Sequence, residues 1–230
     1  MTLRRKGAGA LLAAGATAAF AGARLLHNWG STPLERNRQF PGDELVPDPA
    51  TTVTLAATVR APANEVWHWL VQIGQDRAGM YSYDRLENLI GLRIHSANEI
   101  RDEWKHLDVG DRVVLVRKGW LGMKIGYSLP VAAIEEGRAI ILRQAPPEHP
   151  WNAVWSFTIE PEGPDACRLV SRSRSERRSG FAGLTDTVLA GLLDPVTALM
   201  TRQMLLGIKR RAERQATGSM GQGESTAIRC

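Results

Sequence analysis

Three side chains in the sequence have types and spacing that suit acid–base chemistry. Tyr83 and Asp84 are neighbours in an aromatic segment, and His95 follows a short distance along the chain. A phenol, a carboxylate and an imidazole in one pocket can polarise a carbonyl or move a proton. Asp84 also stands before a short apolar run with Glu87 three residues later, the pattern of a helix N-cap. His95, next to Ser96, equally suits a hydrogen bond that holds a loop. Both interpretations remain open at this stage.

The sequence contains none of the stronger signatures of catalysis. It has no nucleophile elbow, phosphate loop, dinucleotide fingerprint or zinc motif. His95 and His106 lack helical spacing, and Cys167 and Cys230 have neither a disulfide framework nor metal-ligand spacing around them. The sequence therefore predicts no metal and no cofactor.

Hydroxyl groups alternate with positive charge in the last predicted strand. Ser171, Ser173 and Ser175 fall on one face, in line with the apolar Cys167 and Leu169. The arginines at positions 168, 172 and 174 fall on the other face, because successive side chains of a strand point to opposite sides. We expect one end of the interior to be lined by hydroxyl groups.

The positions of the strands follow from alternating hydrophobicity and from turn residues between the runs. Five consecutive strands predict an antiparallel sheet, and their ranges are Arg112 to Arg117, Ile125 to Ile134, Arg138 to Arg143, Trp151 to Glu160 and Ala166 to Glu176. Apolar residues on the inward faces of two of them are Ile125, Tyr127, Leu129, Val131, Trp151, Ala153, Trp155, Phe157 and Ile159. An apolar face with a few polar groups at one end is what a ligand pocket needs. Periodicity alone does not distinguish such a pocket from a filled core.

An opening strand and helix precede this sheet. Residues 53–60 alternate with the two-residue period of a half-buried strand, and Pro62 suits the first turn of a helix. An apolar stripe with helical spacing and a glycine suited to a C-cap follow; these residues are Val66, Trp69, Leu70, Ile73 and Gly74. The sequence predicts a short helix with one buried face.

These motifs resemble those of the START-like superfamily, also called SRPBCC or polyketide cyclase/dehydrase-like. The resemblance rests on Val59-Arg60-Ala61-Pro62, Val66-Trp67, Gly74, Tyr81-Ser82-Tyr83-Asp84, Ile94-His95-Ser96-Ala97, Glu103-Trp104 and Val109-Gly110-Asp111. It is closest to a membrane-anchored bacterial branch whose members mostly lack an assigned substrate. The resemblance implies an α+β helix-grip fold, in which a curved antiparallel sheet wraps around a long C-terminal helix and a hydrophobic cavity lies between them.

Residues 180–214 are predicted to form that covering helix. Leu184, Val188, Leu192 and Leu193 form one apolar stripe, and Asp194-Pro195 restarts the helix. The stripe then continues through Val196, Leu199, Met200, Gln203, Met204 and Ile208. We expect residues 51–214 to form the ligand-binding domain and residues 215–230, rich in Gly and Ser, to form a disordered tail.

The N-terminal segment has three possible interpretations. Arg4, Arg5 and Lys6 precede an uncharged run through Ala23, so residues 1–27 suit a single-pass membrane anchor, a cleaved signal segment or an ordinary soluble helix. Positive charges flank the run on both sides, so the side of the membrane is undecided, with a slight preference for the extracytoplasmic side. Residues 28–50 contain several prolines and no period, which predicts an extended linker.

The charge distribution along the chain helps to distinguish nucleic acid from lipid as a binding partner. The formal net charge is +5, with basic ends and an acidic middle. That pattern argues against nucleic acid and favours ends close to anionic lipid. A protein partner is not identifiable from the sequence.

Two principal functions follow from these observations. The first is membrane-tethered binding or transport of a hydrophobic small molecule, such as a lipid, a polyketide or a terpenoid-like compound. The second is a cyclase/dehydrase-type enzyme that uses Tyr83, Asp84, His95 or the strand serines in the same cavity. A structural membrane-associated domain is a third possibility. The predicted ligand-binding residues are Trp69, Tyr81, Tyr83, Tyr127, Leu129, Trp151, Trp155, Phe157, Ser171, Ser173, Val196, Met200 and Met204.

Overall fold

A computed structural model describes residues 26–89, 91–122, 124–149, 151–176 and 196–218. The predicted stripe Leu184 to Leu193 and its restart at Asp194-Pro195 lie outside the described residues. So do residues 1–25 and 219–230, and with them most of the predicted anchor and tail. The described residues contain no helix with the length and apolar character needed to cross a bilayer.

Six antiparallel strands form one curved sheet in the order β1-β6-β5-β4-β3-β2. Their bounds are β1 Thr51–Val59, β2 Arg112–Val116, β3 Tyr127–Glu135, β4 Ala139–Gln144, β5 Ala153–Pro161 and β6 Cys167–Ser175. Each of the five strands predicted after residue 110 is present, with ends that differ by no more than two residues from the prediction. The alternation of apolar and polar residues was the signal that located them.

The described helices are α1 Pro33–Asn37, α2 Ala63–Val71, α3 Asp84–Leu89 and α4, residues 196–218. Single turns of 3₁₀-helix occur at Asp43–Leu45, Asp102–Trp104 and Trp120–Gly122. Helix α4 includes residues 215–218, the first four residues of the predicted disordered tail. A six-stranded antiparallel sheet with a C-terminal helix is the arrangement of the predicted α+β helix-grip fold.

The main core lies between the concave face of the sheet and helices α2 and α4. Helix α4 contributes one buried stripe, which consists of Ala198, Thr201, Met204, Leu205, Ile208, Ala212 and Ala216. The predicted stripe was wrong at its first turn, because Val196 is 52% exposed and Leu199 is 38% exposed. Small side chains at 198, 212 and 216 carry the buried face instead, and they are too weakly apolar to reveal its phase in the sequence.

Helix α4 approaches the loop after α2 very closely at Gly207. A Cβ atom on Gly207 would overlap the carbonyl oxygen of Tyr81 and lie 2.7 Å from the Tyr81 Cβ. Arg211, one turn later, donates a hydrogen bond of 2.7 Å to the carbonyl of Ala97 and lies over the Tyr81 ring at 4.7 Å. These contacts fix the C-terminal half of α4 against the loops that follow α2 and α3.

Residues 28–46 form an ordered segment, here called the strap, that crosses the convex face of the sheet. Phe40 packs with Ala56 and Val170, and Val46 packs with a second small cluster that includes Ile141. The strap replaces the extended linker predicted for residues 28–50, and that prediction is corrected. The strap contacts residues that are distant in the sequence. Such contacts produce no periodic pattern of apolar residues in the strap itself, so the sequence did not predict them.

Two buried carboxylates of the strap hold the arginines of β6. Glu35 accepts a hydrogen bond of 2.6 Å from Arg168 Nε, and Asp43 accepts one of 3.0 Å from Arg172 Nε. Asp43 also lies 3.2 Å from Arg174 Nη1. The predicted outward arginine face is therefore confirmed, and the strap neutralises it.

Burial acts against the ionised form of Glu35, but hydrogen bonds outweigh it. Burial alone would raise the pKa of Glu35, whereas hydrogen bonds from Arg168 and Thr32 lower it to about 2. The Thr32 and Glu35 side chains also cap each other's backbone at the start of α1. The strap is thus attached by paired charges and not by apolar contacts alone.

Candidate functional site

A cavity of about 690 Å³ lies between the concave face of the sheet and the N-terminal half of α4. That volume falls within the range of about 300–1,000 Å³ typical of small-molecule pockets. Its wall consists of Thr51, Val53, Leu55, Met80, Ser82, Leu92, Ile94, Leu115, Val116, Tyr127, Leu129, Leu142, Gln144, Trp151, Ala153, Val154, Trp155, Ser171, Ser173, Ser175, Thr197, Ala198, Met200, Thr201 and Met204. Most of these side chains are apolar.

The register of the strands collects polar side chains at one end of this cavity. Ser175 pairs with Thr51 on one side and with Ala153 on the other, and Ala153 pairs in turn with Gln144. The start of β3 at Tyr127 lies at the same end, because adjacent strands are antiparallel. The predicted hydroxyl-lined end is present, and it contains an amide and a phenol as well.

The polar groups at this end form short hydrogen-bonded chains. Trp151 Nε1 donates to Gln144 Oε1, and Gln144 Nε2 donates to the hydroxyl oxygen of Tyr127. Deeper in the cavity, Trp155 Nε1 donates to Ser171 Oγ over 2.9 Å. These bonds orient two indole rings along the wall, so the aromatic surface and the polar end are positioned together.

Eight of the thirteen predicted ligand-binding residues line the cavity. They are Tyr127, Leu129, Trp151, Trp155, Ser171, Ser173, Met200 and Met204. Strand alternation and the phase of α4 after residue 199 account for their placement.

The other five predicted residues lie elsewhere. Phe157 is fully buried in the core, one strand repeat beyond Trp155, and Val196 is on the exposed side of α4. Tyr81 is also fully buried, and its hydroxyl oxygen accepts a hydrogen bond of 2.9 Å from Gln72. Trp69 donates to Gln215 and lines a separate groove. Tyr83 is partly buried just before α3 and is not part of the cavity wall.

The three acid–base candidates do not converge on the cavity. Asp84 accepts hydrogen bonds of 2.7 Å and 2.6 Å from the backbone N–H and the hydroxyl of Ser96. His95 is exposed, and neither it nor Tyr83 is among the described residues of the wall. Asp84 therefore holds the loop that follows α3, which is close to the structural role that the sequence allowed.

Sequence reasoning missed the carboxyl group that stands behind the wall. Glu87 is 3% exposed, and Ser82, a wall residue, donates a hydrogen bond to its Oε1. Burial raises the pKa of Glu87, and hydrogen bonds from Ser82 and the backbone of Tyr83 only partly offset this effect. In the sequence Glu87 stood out only as a capping residue, and nothing local indicated that its side chain would be buried.

Gln144 was also missed, although the sequence contains a signal for it. It lies two residues after Leu142 and therefore on the same inward face of β4. Its position at the strand end placed it outside the predicted range. As for metals, the described residues contain no group of three or more His, Cys, Asp or Glu side chains arranged to hold one.

Comparisons with known proteins give distant structural similarity and no family assignment. No protein-family model matches the chain, and no curated protein matches it. Among solved structures, the chain is similar to a polyketide cyclase-like protein from Corynebacterium glutamicum, with 16% identity, 69% of this chain and 89% of that chain covered, and a TM-score of 0.39.

Two further structures show similar values. A truncated norcoclaurine synthase from Thalictrum flavum is 13% identical, with 68% and 92% of the two chains covered and a TM-score of 0.39. A protein from Mesorhizobium loti is 17% identical, with 71% and 98% covered and a TM-score of 0.37. Similarities of this size do not assign a function, which therefore has to be argued from the cavity.

Proposed function

We propose that this protein binds a hydrophobic small molecule in the cavity between the sheet and α4, as a START-like protein tethered to a membrane by residues 1–27. A lipid, a polyketide or a terpenoid-like compound has the required chemistry. The observation that carries the proposal is the cavity of about 690 Å³ with a mainly apolar wall and polar groups gathered at one end. Burial of apolar surface supplies affinity, and sparse polar groups orient the ligand.

The positions of the titratable groups favour a binding protein over a cyclase/dehydrase enzyme. Asp84 is occupied with Ser96, and His95 faces solvent. An acid–base mechanism needs such groups within hydrogen-bond reach of a ligand atom. The wall instead offers indole, phenol, amide and hydroxyl groups, which suit recognition.

Filling the cavity tests the proposal directly. Ala153 lies on the wall, so Ala153→Phe inserts a ring into space that a ligand would use. The matched control is Ala133→Phe at an exposed position of β3. We expect native mass spectrometry of protein extracted from its own membranes to detect an apolar ligand on the wild type and on Ala133→Phe, but not on Ala153→Phe.

Two results would count against the proposal. One is a wild-type protein that carries no ligand and shows no saturable binding of any apolar compound. The other is equal ligand occupancy in Ala153→Phe and wild type, which would locate the bound molecule outside the cavity. Circular dichroism of both variants checks that each one is folded.

The tether is tested by removing residues 1–27. Because the strap begins at residue 28, this cut leaves the packing of Phe40 and Val46 on the sheet in place. Among the strap's hydrogen bonds with described residues, it removes only the bond from the Trp29 N–H to the carbonyl of Leu26. We expect the shortened protein to remain folded, to keep its ligand affinity and to leave the membrane fraction. Continued sedimentation with membranes would overturn the tether while leaving the binding proposal intact.

A further inference from the structure

The cavity wall is polar at one end but carries no charge among the residues that the structure describes. Its polar members are serines, threonines, Tyr127, Gln144 and two tryptophans. Every acidic, basic or histidine side chain of the described chain lies outside the wall. Because these wall groups are uncharged, they determine whether the cavity accepts a neutral or a charged end of a ligand.

Neutral hydrogen-bonding groups discriminate strongly between neutral and charged ligand ends. Moving a charged group from water into a mainly apolar cavity is unfavourable unless an opposite charge compensates for it. A hydroxyl or carbonyl group loses much less on transfer, and single hydrogen bonds from the wall replace those to water. The wall gathers several donors and acceptors of this kind at one end, and further hydroxyl groups lie at Ser82, Ser171, Thr197 and Thr201.

Hydroxyl groups remain for the ligand at that end. Ser171 accepts a bond from Trp155, and Gln144 is engaged with Trp151 and Tyr127. Within the part of the chain that the structure describes, Ser173 and Ser175 make no side-chain hydrogen bond. Both can donate to a carbonyl and accept from a hydroxyl.

We infer that the ligand is an uncharged amphiphile, with a hydroxyl or carbonyl group at the end formed by Ser173, Ser175 and Gln144 and a hydrocarbon body along the indoles and α4. Fatty acids, phosphorylated lipids and amines are disfavoured. This inference rests on the proposed binding function and specifies the ligand class for the same cavity.

Two titratable groups, Glu87 and His149, lie close behind the wall. Glu87 accepts a hydrogen bond from Ser82 at the side of the cavity, and it would favour a cationic ligand if it were ionised. His149 has its ring edge-on to Tyr127 at a centroid distance of 6.0 Å, so an imidazole lies next to the polar end. Neither forms part of the wall, and the ligand panel below tests each one.

The test uses three ligands with the same hydrocarbon chain, namely myristyl alcohol, myristic acid and myristylamine. Each is titrated below its solubility or micellar limit at neutral pH, and binding is followed by tryptophan fluorescence because Trp151 and Trp155 line the cavity. We expect the alcohol to bind at least about tenfold more tightly than the acid or the amine. Equal or tighter binding of the acid or the amine would overturn the inference but leave the binding function standing.

A different result would overturn both the inference and the proposed function. In that result none of the three compounds binds saturably, and the protein from native membranes carries no ligand. The two failures are therefore distinguishable.

A charge placed at the polar end should invert the preference. Gln144→Lys introduces a cation among the wall hydroxyls, and we expect the ratio of acid to alcohol affinity to rise by at least about tenfold. Gln215→Lys, the same change in the groove beside Trp69, should leave the ratio unchanged. Should Gln144→Lys fail to fold, Ser173→Lys places the cation at the same end from β6. An unchanged ratio in a folded variant would contradict the assigned orientation.

Discussion

On its concave face β6 carries three serines, and on its convex face it carries three arginines. The arginines meet the carboxylates of the strap, so every charge there has a partner within the protein. The serines face a cavity, and two of them have no side-chain partner among the described residues. One strand thus separates groups that contribute to stability from groups that are available to a ligand.

The two faces of β6 differ in whether their buried polar groups have partners within the protein. Burial of a charged group is tolerated only with a counter-charge and further hydrogen bonds, which the convex face provides through Asp43, Glu35 and Thr54. A neutral hydroxyl needs less compensation, so it can lie unpaired in a cavity until a ligand arrives. The comparison predicts that substitutions on the convex face change stability and that those on the concave face change binding.

The largest effect is expected for Asp43→Ala. Asp43 is 3% exposed and pairs with Arg172 and Arg174, so its removal leaves two largely buried guanidinium groups without a counter-charge. We expect a loss of about 3–5 kcal/mol in the free energy of unfolding, measured by chemical denaturation. Asp102→Ala, which removes an exposed partner of Lys105, should leave the free energy of unfolding nearly unchanged. A small loss for Asp43→Ala would show that the strap is not held by its charges.

After Asp43, Glu35 should make the second-largest contribution to the attachment of the strap, and the pH dependence of the free energy of unfolding should reveal it. Its pKa in the folded protein is about 2, against an ordinary value of 4.5. The stabilisation is fully present above pH 4.5 and is lost as the pH falls towards 2, with a total of about 3 kcal/mol. Denaturation at a series of pH values should show this loss in the wild type and not in Glu35→Gln. Parallel pH profiles would contradict the expected role.

Glu87, beside the cavity, should show the opposite dependence. Burial raises its pKa, so the folded protein binds the proton more tightly than the unfolded chain does. Stability that Glu87 confers is present below its ordinary pKa and declines as the pH rises through the folded value. Relative to the wild type, Glu87→Gln should therefore become more stable with rising pH, whereas Glu35→Gln should become less stable. The same trend in both variants would remove the contrast between the two faces.

The smallest effect on stability is expected for Ser173→Ala. The hydroxyl group lies at the polar end of the cavity without a side-chain partner in the described chain, so the free energy of unfolding should change by less than about 0.5 kcal/mol. The affinity for myristyl alcohol should fall by about three- to tenfold, as for the loss of one hydrogen bond. A stability loss without a change in affinity would reverse the assignment of this face.

Local periodicity explains which parts of the fold were predictable. The strands, most of their inward faces and the outward arginines followed from alternation, because a period of two is visible in the sequence itself. The prediction was wrong for Ile125, which lies before β3 and is 92% exposed. The strap did not follow, since Glu35 and Arg168 are far apart in the chain and only the fold brings them together. A local signal for α1 did exist in Thr32-Pro33-Leu34-Glu35, which has the spacing of a capping box.

The residues of the candidate site were likewise predictable on strands and not on loops. Alternation assigned the correct face to residues on strands such as Trp155 and Ser173, but it did not show where the cavity ends, so Phe157 was placed in the wall although it lies in the core. Residues on loops were not, because the direction of Tyr83 or Tyr81 depends on backbone angles that no periodic pattern encodes. Tyr81 has a positive φ of 55°, which turns it away from the cavity and into the core.

The close approach of Gly207 to Tyr81 limits how a ligand can enter and leave. Every residue of α4 that lines the cavity precedes Gly207, whereas the contacts to Tyr81 and Ala97 lie at Gly207 and beyond. The second half of the helix therefore has little room to move against these loops, and we expect any widening of the chamber along α4 to involve its first half. A substitution of Gly207 would then disturb the shape of the chamber without changing any residue of its wall.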